Sequence, residues 1–294
     1  MTSSTSSTSS TSSTSSTASA GGGGTFGAVY ADRADLPFAV ADDASIAVGT
    51  KRPLSDRPAL TPKRFLEQRW SCKLTAWVMF GEFAKKADWQ QAVEVDDLRW
   101  KTIGLIPPNE KETLFRYATD NRADALAEII AQDGNGLLEF QHLLSVTEGS
   151  YPKTCKLLYI ADLVGALVVM HVKFREQRPR PSQLYPALRP ALPIPGHSSF
   201  PSGHATQSFL MWRCVAAAIN ESKLEQVDKD HLSAALRTLA ERIAVNREIA
   251  GLHYPSDTEA GRKLAEKLFG LLRDQVDDFM PTVRDAGKEW DRTL

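Results

Sequence analysis

The 294-residue chain is poor in cysteine, histidine and net charge, and each shortage excludes something. Its three cysteines, Cys72, Cys155 and Cys214, are far apart and form no CxxC pair. That excludes a disulfide framework and a cysteine zinc site, and an odd count suits a reducing compartment. With 35 basic and 36 acidic residues the net charge is −1, against the basic excess of a general nucleic-acid binder. Calcium finds no loop either: around Asp133, Asn135 and Glu139, Leu137 stands at a ligand position and the required glycine is missing. Charge is absent altogether before Asp32, where residues 2–16 are five copies of Thr-Ser-Ser and Gly21 to Gly24 follow. A segment with so little to bury is expected to be a disordered tail over 1–24. It lacks the basic start and apolar stretch of a secretion signal.

The longest apolar run, Leu157 to Val172, has 16 residues and contains Asp162 and His171. A membrane span needs about 20 apolar residues, so the run reads as a buried core helix. The expectation is no membrane insertion, a cytoplasmic location, and a composition compatible with a homo-oligomer.

What is present is helical texture. Residues 25–70 mix proline, charge and short apolar pieces and are expected to form an irregular N-terminal wrap. From 71 to 294 a single helical domain is expected. Leu74, Trp77, Val78, Phe80 and Phe83 recur at helical spacing. Asn109 is placed to cap a helix over 110–131, which Asp133-Gly134-Asn135-Gly136 ends. Further helices are expected over 152–176, 202–220, 228–250 and 256–280. Between them, 177–201 carries seven prolines and is expected to be non-helical. Convincing alternating strands are missing. The fold class is all-α, with six to eight helices. Trp70, Trp77, Trp89 and Trp100 read as packing residues, His171 as a core histidine, and His142 and His231 as surface residues.

Three segments carry chemistry. In Phe200-Pro201-Ser202-Gly203-His204, Pro201 suits a first helical position, and the N–H groups of Ser202, Gly203 and His204 would cradle an anion at the helix start. Gly203 lets an oxyanion reach the backbone, and His204 can pass a proton to a leaving oxygen. In the second segment, Lys173 to Phe200 holds five basic residues and one acid, a local charge of +4 in a nearly neutral chain. Lys173 and Arg180 suit a tetrahedral oxyanion there. The third runs from Asn246-Arg247 to His253 and Asp257. Arg247 adds a third cation. Asp257, four residues after His253 and in the first turn of the next helix, can hold one ring N–H and leave the other nitrogen free as nucleophile or ligand.

In order and spacing, K-x6-R-P, P-S-G-H and R-x5-H-x3-D, these segments resemble the type 2 phosphatidic acid phosphatase and vanadium-dependent haloperoxidase superfamily. The resemblance covers Lys173 to Asp257 and leaves the first 150 residues unmatched. It implies a helical bundle of the acid phosphatase and vanadium haloperoxidase type. It also implies Lys173, Arg180, Ser202, Gly203 and Arg247 as phosphate or vanadate ligands, His204 as acid and base, and His253 as nucleophile oriented by Asp257. Asn246 replaces the serine of many phosphatase members but can still hydrogen-bond an oxyanion.

Two activities follow from the resemblance. One is a phosphatase that hydrolyses a small phosphate monoester through phosphohistidine, without a cofactor. The other is a vanadate-dependent haloperoxidase using halide and hydrogen peroxide, with His253 as the axial vanadate ligand. His197, seven residues before His204, resembles the histidine of bromide-oxidising members. Met170 stands where several haloperoxidases have tryptophan, and the chain is shorter than theirs, so the phosphatase is preferred. The lipid phosphatases of the superfamily have six spanning helices, which sets them apart from this chain by the length argument above.

Overall fold

A computed structural model of the chain describes residues 70–94, 98–103, 107–134 and 136–291. The tail over 1–24 and nearly all of the wrap over 25–70 lie outside the described residues. The described residues fall in one compact unit, Phe65–Leu294, and contain no strand; the protein is all-α.

Helix α1 is Cys72–Lys86, capped by the Ser71 hydroxyl, which accepts the Leu74 N–H at 3.2 Å. Helix α2, Pro108–Arg116, runs through a π turn at Tyr117–Asn121 into α3, Arg122–Ala131. Then follow α4 (Gly136–Leu144), α5 (Pro152–Glu176), α6 (Gly203–Glu221), α7 (Gln226–Ile249), α8 (Pro255–Gln275) and α9 (Phe279–Trp290). Helix α6 is the centre. It packs against α5, α7, α8 and α9, while α1 lies along α5 and α3 touches α7. Cys214, Val215, Ala218 and Ile219 are fully buried along it, which fits a helix contacted on several faces.

Close approach to α6 depends on glycine. A Cβ on Gly261 of α8 would lie 2.8 Å from the Ser202 carbonyl oxygen and 2.9 Å from the Ala205 Cβ. Both neighbours belong to the start of α6. Gly261→Ala is therefore expected to lower stability by about 1–3 kcal/mol through overpacking, read as a fall in the thermal midpoint. An unchanged midpoint would show that the two helices part without cost.

Several expectations are corrected. Asn109 does not cap its helix, which begins at Pro108 with no side-chain cap; proline tolerates that position because its missing N–H needs no partner. The proline-rich 177–201 holds a helical turn at Pro181–Leu184 and a 3-10 turn at Pro186–Leu188, each with proline first. The expected helix over 256–280 is two helices, parted at Val276. Helix α1 buries Cys72, Ala76, Met79 and Phe83, while Leu74, Trp77 and Val78 are 54%, 49% and 65% exposed. Trp70 is also half exposed, whereas Trp89 is buried as expected. His171 is exposed and meets the Trp89 ring edge-on, 5.1 Å between centroids; it is no core histidine.

The apolar run Leu157–Val172 is the middle of a 25-residue helix. The stretch from Pro152 is long and apolar enough to cross a membrane, with a mean hydropathy of 1.8, although 56% of that window is buried inside the protein. The length argument against insertion, for a soluble member and for a cytoplasmic location is thereby withdrawn: the helix that holds the run reaches from Pro152 to Glu176.

Candidate active site

Four helix ends meet where the motifs lie: the C-terminus of α5 brings Lys173, the N-terminus of α6 Gly203 and His204, the C-terminus of α7 Arg247, and the N-terminus of α8 Asp257. Gly251, at φ +78°, ends α7; its N–H donates to the Glu248 carbonyl at 2.8 Å and the next N–H, of Leu252, to the Arg247 carbonyl at 3.1 Å. Glycine is suited to this left-handed position, and the reversal carries the chain straight to His253.

A first group is built around His253, which is buried. Arg180 Nη1 lies 3.1 Å from His253 Nε2 and donates to the Leu252 carbonyl at 2.9 Å. A guanidinium only donates, so Nε2 accepts and the ring proton belongs on Nδ1. Nδ1 faces Asp257 Oδ2 at 3.2 Å. The same oxygen accepts the Ser199 hydroxyl at 2.5 Å and the Tyr254 N–H at 3.0 Å. The other oxygen, Oδ1, accepts from Arg178 Nη1 at 2.7 Å. His197 belongs here too. Its ring is exposed, and Nδ1 lies 3.0 Å from Arg180 Nη2. Lys173 Nζ donates to the carbonyls of Ser198 and Ser199 at 2.8 Å each.

A second group lies at the C-terminus of α3. Arg247 donates to the Ile129 carbonyl at 2.6 Å and to Asp133 Oδ1 at 3.1 Å. His204 Nε2 lies 3.2 Å from the Gln132 carbonyl. Asn246 does not turn to an oxyanion position; its amide donates to Gln132 and Glu128 at 2.9 and 3.1 Å and ties α7 to α3. A cavity of about 140 Å³ opens beside His204, lined also by Asp133, Asp162, Gln207, Leu137 and Met211.

The cradle differs in detail from the sequence expectation. Helix α6 begins at Gly203, with Ser202 as its N-cap. The Ser202 hydroxyl accepts the Ala205 N–H at 3.3 Å, and its own N–H donates to the Asp257 carbonyl at 2.9 Å. Serine is a strong N-cap. The Ser202 N–H is committed, while the hydroxyl, which caps as an acceptor, keeps its own hydrogen to donate. The Gly203 and His204 N–H groups remain in the first turn, where no intrahelical acceptor exists.

Burial sets the electrostatics. It pulls Lys173 down to about 7, with Arg180 adding repulsion, and it pulls Arg180 down to about 10. Burial and then Arg180 depress His253 well below its ordinary value, and burial with Arg247 lowers His204 to about 4. Asp257 moves the other way: although burial raises it, His253, Arg178 and Ser199 hold it well below the usual carboxylate range. Lys173 and Arg180 are almost wholly buried, yet neither is in an ion pair among the described residues. Two buried cations satisfied only by carbonyls and two histidine rings are costly unless an anion joins them.

The sequence reading misses Arg178 and Ser199, which complete the shell of Asp257, and Asp133, which engages Arg247. Arg178 stands within the +4 stretch, but nothing in a proline-rich segment separates a buried arginine from a solvated one.

Against known proteins, the profile of the PAP2 superfamily matches residues 153–279. No curated protein matches the chain significantly. A solved structure similar to it is the first transmembrane PAP2 type phosphatidylglycerolphosphate phosphatase from Bacillus subtilis, at 15% identity. The alignment covers 68% of this chain and 94% of that one, with a TM-score of 0.35. The stretch that resembles the PAP2 superfamily, residues 153–279, contains Lys173, Arg180, Gly203, His204, Arg247, His253 and Asp257.

Proposed function

We propose that the protein is a phosphatase that cleaves phosphate monoesters through a phosphohistidine on His253. The observation that carries this reading is the pair of buried, ion-pair-free cations Lys173 and Arg180 beside a histidine whose Nε2 lone pair faces the guanidinium. Phosphoryl transfer asks a protein mainly for positioning and charge neutralisation, and this group supplies both. His253 Nε2 attacks phosphorus, the ester P–O bond breaks, and His204 gives its proton to the leaving oxygen. A water, deprotonated by His204, then attacks phosphorus; the P–N bond breaks and inorganic phosphate leaves. Asp257 holds the Nδ1 proton throughout and stabilises the positive charge that forms on the ring.

Substrate binding recharges the site. At pH 7 His204 is neutral in the free protein, and burial weakens the hold of Lys173 on its proton; a bound dianion raises both. Oxyanion binding is therefore accompanied by proton uptake at pH 7, and affinity falls as pH rises through about 7 because protonated Lys173 is lost. Calorimetry with phosphate in buffers of different ionisation enthalpy measures the uptake; binding with no proton exchange would contradict it. In the same transition Arg247 exchanges Asp133, and His204 the Gln132 carbonyl, for the substrate. The Asp133 side chain is half exposed, its carboxylate competing with the oxyanion for Arg247. Asp133→Asn is expected to lower the inhibition constant of inorganic phosphate several-fold; an unchanged or higher value would show that Asp133 supports the site instead.

The same donors fit vanadate, a phosphate mimic: Lys173, Arg180, Arg247 and the Gly203 N–H would hold its oxygens, and His253 Nε2 would bind it through its lone pair. When bound, vanadate supplies activation of peroxide for halide oxidation. His197, exposed and tied to Arg180, is the residue that favours this second reading. The deciding experiment runs both assays on one preparation. The phosphatase reading expects hydrolysis of a chromogenic phosphate ester with chelator present, inhibited by vanadate. Absence of hydrolysis together with bromide oxidation after vanadate loading would replace it with the second.

A further inference from the structure

We infer that Arg178 is a positioning residue that sets the basicity of His253 by sharing the charge of Asp257, an inference that rests on His253 being the nucleophile. Arg178 is wholly buried. Its Nη1 donates to Asp257 Oδ1 at 2.7 Å and to the Ser256 hydroxyl at 2.8 Å, and its Nη2 lies 3.6 Å from Glu110 Oε2. The guanidinium lies over the Tyr254 ring, 4.1 Å from its centroid. Its own carbonyl accepts the Ser199 N–H at 2.9 Å, which places the Ser199 hydroxyl on Asp257 Oδ2.

Asp257 therefore has two sides. Oδ2 faces the reacting histidine, while Oδ1 faces a fixed cation that never meets substrate. An unshared carboxylate in so buried a place would draw the imidazole strongly towards its protonated form. A protonated His253 has no lone pair for phosphorus. With Arg178 taking Oδ1, Asp257 still fixes the tautomer but exerts a reduced pull, and His253 stays neutral into acid.

The other charges around the pair are accounted for. His253 is faced by Arg180 and, more distantly, by Lys173, both of which favour its neutral form, and by Asp257, which opposes them. His197 lies on the far side of Arg180. Glu110 reaches the group through Ser256 Oγ at 3.0 Å and the Ser256 N–H at 2.6 Å. Glu248, buried on α7, and Glu110 are each other's repulsive neighbours and both are repelled by Asp257. Arg262 acts on Glu248 from outside the group, so removing Arg178 takes away the cation in contact with Asp257 and leaves its carboxylate to His253, Ser199 and the Tyr254 N–H.

The test compares wild type, Arg178→Lys and Arg178→Met in two measurements. In the kcat/KM pH profile, the acid limb moves to higher pH by at least about half a unit in Arg178→Met and by less in Arg178→Lys, whose single ammonium restores part of the charge. The inhibition constant of phosphate at pH 6 stays within about threefold, because Lys173, Arg180 and Arg247 are untouched. A merely structural role would lower kcat/KM evenly and leave the limb in place. If Arg178→Met does not fold, the limb of Arg178→Lys decides: displaced upward it supports the inference, and at its wild-type position it overturns it. The second measurement, titration of the His253 ring by NMR in wild type and Arg178→Lys, needs no turnover. If the wild type hydrolyses no phosphate ester, the phosphatase reading fails, while an upward displacement of the His253 titration still supports the role of Arg178. An unmoved titration overturns that role even with hydrolysis intact.

Discussion

His253→Ala is expected to lower kcat/KM for a chromogenic phosphate ester by at least about 10³-fold, with the protein still folded. The size follows from the role: removing a nucleophile closes the covalent route, and what the remaining oxyanion ligands achieve alone is small beside it. The fold should survive because the stabilising contacts of the site lie elsewhere. Asp257 keeps Arg178, Ser199 and the Tyr254 N–H after the ring is gone, and the Ser202 N–H still anchors α6 to the Asp257 carbonyl. The measurement is steady-state kinetics with circular dichroism on the same sample. Full activity in a folded His253→Ala would refute the mechanism.

Arg180→Lys carries the second largest effect, about 10²–10³-fold in kcat/KM, as for the loss of a preorganised charge-stabilising donor. The change preserves charge, so the loss isolates geometry. Arg180 holds the Leu252 and His197 carbonyls, the His197 ring and His253 Nε2 with one planar fork. An ammonium on a shorter stem cannot serve four acceptors in that plane. Both the position of the nucleophile and the grip on the oxyanion suffer, so vanadate inhibition should weaken together with kcat. A variant that lost vanadate affinity alone would show that Arg180 binds substrate without placing His253.

The sequence is a good guide to the helix ends and a poor one to the partners across them. The ends are marked by residues with local physics: Gly251 at positive φ, the Pro255 start, and the serine before Gly203. The R-x5-H-x3-D spacing is short enough that one turn brings His253 to Asp257. Failures come where a contact spans distant segments. Glu110 reaches Ser256 across 146 residues, and Asp133 reaches Arg247 across 114; no local pattern records either. In α1 two stripes compete, and the one with the larger side chains is the more conspicuous in sequence. The smaller Ala76 and Met79 face inward because α1 lies close along α5, leaving Trp77 and Val78 outside. The Ser202 N–H is misread for a related reason. The sequence places it in the cradle, and only the Asp257 carbonyl next to it shows that this donor is taken.

The central claim is that His253 Nε2 carries the phosphoryl group in transit. The most direct test uses the His204→Ala variant with radiolabelled p-nitrophenyl phosphate, a leaving group acidic enough to depart without a proton donor. Hydrolysis of the intermediate is slowed there, because His204 is also the base that activates water. Quenching in alkali and peptide mapping should recover acid-labile, alkali-stable label on the peptide containing His253, and none from the variant that also carries His253→Ala. Label on any other residue, or turnover without label, would contradict the account.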